Sequence, residues 1–213
     1  MAHRDRKVKE YVMDHMDEDI VWLENFEHDG KEKRLGRLIE NNEYSLSYQG
    51  PSPEFTNILS RAKNAKDVYA KIQLGTTYEQ SAIPYIPVPK SVHGKYTFIN
   101  RERVPGVFVT WIIGGYPDLM LKASDEASRL PMLKLNRYLQ RLAAIYWGEA
   151  QADMVVKAWD HFHKAYRNYP IEKYTFYYGP ITRCPAYHLY LEPKNQAVEE
   201  WKYNWGIDRE RNK

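Results

Sequence analysis

Residues 67–80, Asp67-Val68-Tyr69-Ala70-Lys71-Ile72-Gln73-Leu74-Gly75-Thr76-Thr77-Tyr78-Glu79-Gln80, constrain the fold of this chain more than any other stretch. Val68, Ala70, Ile72 and Leu74 alternate with Tyr69, Lys71 and Gln73, one apolar face against one that is polar and bulky. Side chains on a strand point to opposite sides in turn, so a period of two assigns the faces. An exposed antiparallel strand has the same alternation. This stretch, however, follows a helical pattern and runs into a polar loop that carries an acid. In a barrel of parallel strands one face meets the helices and the other lines the interior. The chemistry of such barrels sits on loops at the carboxyl ends of the strands. The alternation is read as a barrel strand ending at an active-site rim, with Lys71 facing inward.

The flanking segments extend the pattern. Val8, Tyr11, Val12, Met13 and Met16 have the spacing of a helix that buries one face. Ile20-Val21-Trp22-Leu23 reads as a buried strand that ends in Glu24-Asn25-Phe26-Glu27. Residues 31–43 are charged without a clear period and read as loop, with an excursion hairpin as the alternative. Tyr44-Ser45-Leu46-Ser47-Tyr48 is a candidate short strand. Ser52-Pro53 then starts a helix, since Ser is a favoured N-cap and Pro suits the first helical position. Phe55, Ile58, Leu59 and Ala62 give that helix an apolar stripe. Pro84, Pro87 and Pro89 stiffen the loop after the central strand. A helix from about 89 to 103 carries Val92, Tyr96 and Ile99 on one face, although Gly94 weakens it. Residues 107–113 read as a fully buried strand, followed by a rim loop Gly114-Gly115-Tyr116-Pro117-Asp118. Residues 133–146 and 153–168 are amphipathic helices, the second with Val155, Ala158, Trp159, Phe162, Ala165, Tyr166 and Tyr169 on a wide stripe. An aromatic coil and a charged tail follow.

Composition removes several functional classes. A net charge of +3 lacks the concentrated basic footprint that nucleic acid requires. No apolar run approaches the ~20 residues of a membrane span. The N-terminus is charged and has no apolar core of a signal peptide, so a cytoplasmic location is expected. One cysteine excludes an internal disulfide. Cys184 and His188 form a conceivable nucleophile pair, but nothing nearby is set up to stabilise a thiolate. No His-Glu-x-x-His, paired Cys motif or phosphate-cradling Gly loop occurs, and His161 and His163 stand two apart on a helix, so no cofactor and no metal are expected. The 18 Tyr and 6 Trp are suited to stacking on the apolar faces of sugar rings, or to large aromatic cores.

The strand ends Trp22-Leu23-Glu24-Asn25-Phe26-Glu27, Gln73-Leu74-Gly75-Thr76-Thr77-Tyr78-Glu79 and Thr110-Trp111-Ile112-Ile113-Gly114-Gly115-Tyr116-Pro117 are followed by Leu142-Ala143-Ala144-Ile145-Tyr146-Trp147-Gly148 and Ala158-Trp159-Asp160-His161-Phe162. On these motifs, which span most of residues 17–190, the chain resembles the C-terminal half of a (β/α)8-barrel glycoside hydrolase. The trailing helices are similar to those of exo-acting hexosaminidase-like and α-N-acetylglucosaminidase-like enzymes. The resemblance implies an α/β fold: residues 1–130 as C-terminal βα units of a partial barrel, and 131–213 as a helical extension with an aromatic, charged tail. A whole barrel needs eight strands and ~250 residues, and three strands plus one marginal one are countable here. The chain is therefore expected to be a truncated product, half of a split enzyme, or a smaller open α/β sheet. The expected partners are carbohydrate and either the missing N-terminal half or further copies of the chain, with no nucleic acid and no membrane.

Glycoside hydrolysis usually needs two carboxyls flanking the bond. Glu24, Glu27, Glu79 and Asp118 are the acids on the expected rims. Glu24 and Glu79 are the catalytic candidates, and Glu24 is alternatively one partner of an ion pair inside the barrel. Its expected partner is Lys71, whose ammonium needs a carboxylate if it faces an interior. Trp111, Tyr78, Tyr116, Lys71, Gln73 and Asp118 are the candidate sugar-binding residues. Trp111 serves equally as core packing, and Asp118 equally as the cap of the following helix. The activity expected is hydrolysis of O-glycosyl bonds if the barrel is completed. The alternatives are a non-catalytic carbohydrate-binding or scaffold remnant, and an unrelated small α/β interaction domain.

Overall fold

A computed structural model describes residues 6–17, 19–41, 44–62, 68–75, 85–109 and 118–169. Within them the chain is mixed α/β: six helices, a small parallel sheet and a short antiparallel pair. The order is α1 (Arg6–His15), β1 (Trp22–Asn25), β2 (Lys31–Arg34), β3 (Arg37–Glu40), α2 (Pro53–Arg61), β4 (Val68–Ile72), α3 (Pro89–Arg101), β5 (Val107–Val109), α4 (Leu119–Arg129), α5 (Leu135–Trp147) and α6 (Glu149–Arg167). The sheet runs β1-β4-β5, with both pairs parallel, so the alternating stretch is the central strand. The described residues form no closed barrel.

Register assigns the two faces. Trp22, Glu24, Val68, Ala70, Ile72, Val107 and Val109 share one face, because Trp22 pairs with Val68, Glu24 with Ala70 and Ala70 with Val107. That face packs into a core with Phe55 and Ile58 of α2 and Val92, Tyr96 and Ile99 of α3. Phe26, just past β1, joins Phe55 and Phe98 in an aromatic group with ring centroids 5.0 to 6.2 Å apart. The opposite face carries Leu23, Tyr69 and Phe108, which remain 47, 38 and 47% exposed. Gly106 lets the chain cross close over Tyr69: a Cβ there would lie 2.4 Å from its ring.

The helices follow local chemistry. Ser52 caps α2, its hydroxyl accepting from the Phe55 N–H at 3.1 Å, with Pro53 at the first helical position. α3 runs through Gly94, whose bare backbone admits the Gln49 side chain. Asp118 caps α4. Gly148, at φ 82°, ends α5 and turns the chain at once into α6, a conformation that a side chain would strain. No described helix is long and apolar enough to cross a membrane.

Several expectations are corrected. The buried strand expected at Ile20-Val21-Trp22-Leu23 starts only at Trp22, and Ile20, Val21 and Leu23 are exposed, not buried. In β5 Phe108 is exposed for the same reason as Leu23: it lies on the sheet face away from the helices. Residues 44–48 are not a strand; they form a buried loop. The charged stretch after residue 30 is the excursion hairpin, turned by positive φ at Leu35 and Gly36, as two-residue hairpin turns require. In α1 only Met13 of the expected stripe packs against the core: Val8, Tyr11 and Val12 are exposed, and Lys9 is turned inward beside it. In α6 the buried stripe is Ala152, Trp159, His163 and Tyr166, and Phe162 is exposed.

His163 thus lies in the contact between α6 and α3, where its Nδ1 is 3.2 Å from the Ser91 hydroxyl. Burial, then the positive charges of Lys90 and Arg167, hold its pKa down at about 4, only partly opposed by Asp160. The imidazole is therefore neutral at pH 7 and accepts from, or donates to, the serine according to tautomer. A histidine with a lowered folded pKa binds fewer protons in the folded than in the unfolded state. Its contribution is complete above the unfolded value near 6.5 and is lost as pH falls to about 4. After discounting for solvent screening, urea unfolding should lose about 1–2 kcal/mol over that window from this group. The loss should shrink in His163→Gln, and an unchanged pH profile in that variant would count against the assignment.

Candidate functional site

In parallel α/β sheets the chemistry gathers at the carboxyl ends of the strands, and here the ends of β1 and β4 converge on one carboxylate. The pairing of β1 with β4 continues one residue beyond the strand, as the Phe26 N–H donates to the Lys71 carbonyl at 2.9 Å. Asn25 then turns the chain, its Oδ1 accepting from the N–H groups of Glu27 and His28 at 3.0 and 3.2 Å. Alternation from the buried Phe26 sends Glu27 to the other side of the chain. Its Oε1 accepts from the Gln73 N–H at 2.9 Å and from the Lys95 ammonium of α3. Lys95 also donates to the Ser45 carbonyl at 2.7 Å, and Glu27 and Lys95 are both wholly buried. The Gln73 amide turns back onto the Gly75 carbonyl at 2.7 Å.

This cluster extends into the hairpin. The Ser45 and Ser47 hydroxyls are 3.0 Å apart, and Ser47 accepts from Arg34 Nη1 at 2.8 Å. Arg34 is buried, donates to Glu32, and reaches the Tyr169 carbonyl past the end of α6 at 2.9 Å. Arg167 pairs with Glu32 at 2.8 Å from the same helix end. Tyr48 stands between these acids. Burial, then Glu32 and Glu27, push its phenol above the usual tyrosine value.

Glu24 occupies a different environment from the one its neighbours in sequence suggest. It is buried on the helix side, opposite Ala70 in the register. Its oxygens accept from Lys9 Nζ at 2.9 Å and from Trp22 Nε1 at 2.8 Å. Lys9 also approaches Glu54 at 3.3 Å. Burial pulls the Lys9 ammonium down, but Glu24 and then Glu54 outweigh it and hold it above its ordinary value. The expected Lys71–Glu24 pair is overturned, because β1 and β4 are neighbours whose register puts Lys71 opposite Asn25 and on the face that Glu24 does not share. Lys71 instead donates to the Tyr44 hydroxyl at 2.8 Å, with its ammonium 4.2 Å from that ring's centroid.

The remaining sequence candidates divide. Gln73 is brought to Glu27. Asp118 takes the capping role, accepting from the Met120 and Leu121 N–H groups at 2.8 and 3.1 Å. Burial raises its pKa against the lowering by those donors. Glu79, Tyr78, Trp111 and Tyr116, like Cys184 and the aromatic coil, lie outside the described residues. The sequence marks Glu27 as a rim acid without assigning it a role. The signal that identifies it is Phe26: an aromatic residue in phase with Trp22 and Glu24 marks that phase as the helix side. Lys95 had no such signal, because a lysine in the middle of an amphipathic helix ordinarily faces solvent. Among the described residues no group of three or more His, Cys, Asp or Glu is placed to hold a metal ion. No family model, no curated protein and no solved structure matches the chain.

The Glu27–Lys95 pair generates a thermodynamic test. Removing one partner leaves the other charge buried, which costs about 3–5 kcal/mol. Glu27→Gln and Lys95→Met should each lower unfolding stability by that order, while the double variant should lose much less than their sum. Strictly additive losses in a urea-denaturation cycle would show that the two groups do not interact.

Proposed function

We propose that the chain is a carbohydrate-active domain of glycoside-hydrolase type, built from βα units of a partial barrel, that holds sugar on the sheet face away from its helices. The observation that supports this reading is that face itself. All-parallel sheets ordinarily have both faces covered, yet Leu23, Tyr69 and Phe108 are partly exposed on this one. Its carboxyl end carries Asn25 and Lys71. In a completed barrel this face is the interior, and its upper rim is the sugar site. Exposed aromatic rings beside polar donors suit the amphipathic surface of a pyranose. Glu27, just past β1, is wholly buried, and its bonds to Lys95 and the Gln73 N–H fix the strand ends that would carry the rim loops. Glu79 remains the proposed second acid, on the loop that leaves β4.

One observation favours the non-catalytic version of the same reading. Both β1 carboxylates are already held by lysines, Glu24 by Lys9 and Glu27 by Lys95. A domain that binds sugar without cleaving it needs neither of them as a proton donor.

Calorimetric titration distinguishes the outcomes. N-acetylhexosamines should bind saturably and more tightly than nucleotides, and Phe108→Ala should weaken that binding about tenfold, equivalent to ~1.4 kcal/mol. Tighter binding of nucleotides, or a sugar affinity indifferent to Phe108→Ala, would sink the carbohydrate reading.

A further inference from the structure

The outer side of α1 is apolar, although the helix is attached to the protein through charge. Val8, Tyr11 and Val12 are 49, 63 and 43% exposed. Tyr11 and His15 stack with ring centroids 4.1 Å apart, and His15 Nδ1 lies 2.8 Å from the Tyr11 carbonyl. The spacing i, i+3, i+4, i+7 puts these four residues in one stripe, the pattern by which a helix anchors on another surface. The stack holds the two largest side chains of the stripe in place, which lowers the entropy lost when a partner covers them. Lys9 and Met13 point the other way, Lys9 to Glu24 and Glu54 and Met13 to the core. The outer stripe is therefore not what attaches α1.

The stripe is self-complementary. Its spacing reads the same in both directions about a point between Tyr11 and Val12. In an antiparallel pair of α1 helices, Val8 of one copy meets His15 of the other, while Tyr11 and Val12 each lie beside their own counterparts across the two-fold axis. Lys7 and Asp14 are exposed two turns apart on one flank, beside Tyr11. The same arrangement brings Lys7 of each copy to Asp14 of the other, whereas a parallel pair sets lysine against lysine and aspartate against aspartate. Asp14 meets Arg61 at 3.4 Å yet stays 55% exposed, so it has an open side for a second cation.

We propose that the chain self-associates through α1 as a two-fold, antiparallel helix pair. The occupant of the stripe is a second copy of this chain, because the stripe matches itself in both spacing and charge, as an isologous contact requires. Four side chains and two ion pairs are fewer than the ~20–30 residues a side of a standard interface, so the association is weak and depends on concentration. The surface is separate from the open face of the sheet: Lys9 ties α1 to Glu24 on the helix side.

The test is sedimentation of the full chain combined with cysteine cross-linking. From about 0.01 to 1 mM the mean mass should rise from monomer toward dimer, and added salt should reduce the rise. Tyr11→Ala should weaken association about tenfold without lowering the melting temperature of the dilute protein, because the ring is exposed. Lys7→Glu and Asp14→Lys should each weaken it, and the double variant, with the charges exchanged, should restore it. In a Cys184→Ser background, Val12→Cys should form a disulfide-linked dimer with itself. Val8→Cys should link to His15→Cys but not to itself, since the two copies of residue 8 stand ~10 Å apart along the axis, beyond the reach of a disulfide. A monomer over the whole range, association indifferent to Tyr11→Ala, or Val8→Cys linking to itself overturns the proposal. Association that persists in Tyr11→Ala and is lost in Phe108→Ala assigns it to the sheet face and overturns the proposal equally.

Discussion

The Glu27 carboxylate joins four parts of the chain that are far apart in sequence. It ends β1, receives the backbone of β4 through the Gln73 N–H, and receives α3 through Lys95, which in turn holds the loop at Ser45. A buried pair of this kind adds little net stability over an apolar contact, because both charges lose their water. Its effect is on arrangement. Slipping β1 by one residue against β4 would turn Phe26 away from Phe55 and Phe98 and put a carboxylate into the aromatic core. The register of the sheet, and with it which side chains share the open face, is thus specified twice, once by the aromatic group and once by the ion pair.

The parts of the fold that were legible in the sequence are those decided within a few residues. The alternation from Val68 to Ile72 reports a strand because one face is in the core and the other is not. Ser52-Pro53 reports a helix start because the serine hydroxyl has to satisfy a free N–H. Val92, Tyr96 and Ile99 mark the buried side of α3 whatever lies beneath them. The misreadings share a different cause. Glu24 follows a run of apolar residues, and only the pairing of β1 with β4 tells that it does not share a face with Lys71. In α6 a buried histidine interrupts the apolar stripe, and the exposed Phe162 one position before it draws the reading a step out of phase. The hairpin has no period at all, because its buried members are Arg34 and Ile39, one of them charged.

Arg34 shows why that hairpin belongs to the fold. A buried guanidinium needs its donors used, and Arg34 uses them on Glu32, Ser47 and the Tyr169 carbonyl. Arg167 shares Glu32 from the other side. The end of α6 is therefore tied to the same polar run that begins at Glu27. Tyr138, Leu142, Trp159 and Tyr166 of the last two helices belong to the same core as Phe26 and Ile72.

α1 is held on different terms. Its inward side presents Lys9 to Glu24 and Glu54, and Arg61 of α2 reaches Glu10 and Asp14 at 3.7 and 3.4 Å. Of its apolar residues only Met13 packs against the core. Surface pairs such as those of Arg61 contribute little and weaken with salt, which leaves Lys9 and its buried partner Glu24 as the principal attachment. The amphipathic pattern of α1 is real, yet its apolar side faces water while its charged side faces the protein. Helical periodicity identifies the helix; which side turns inward is decided here by the need of a buried carboxylate for a cation, because leaving Glu24 unpaired beneath α2 costs more than exposing two valines and a tyrosine.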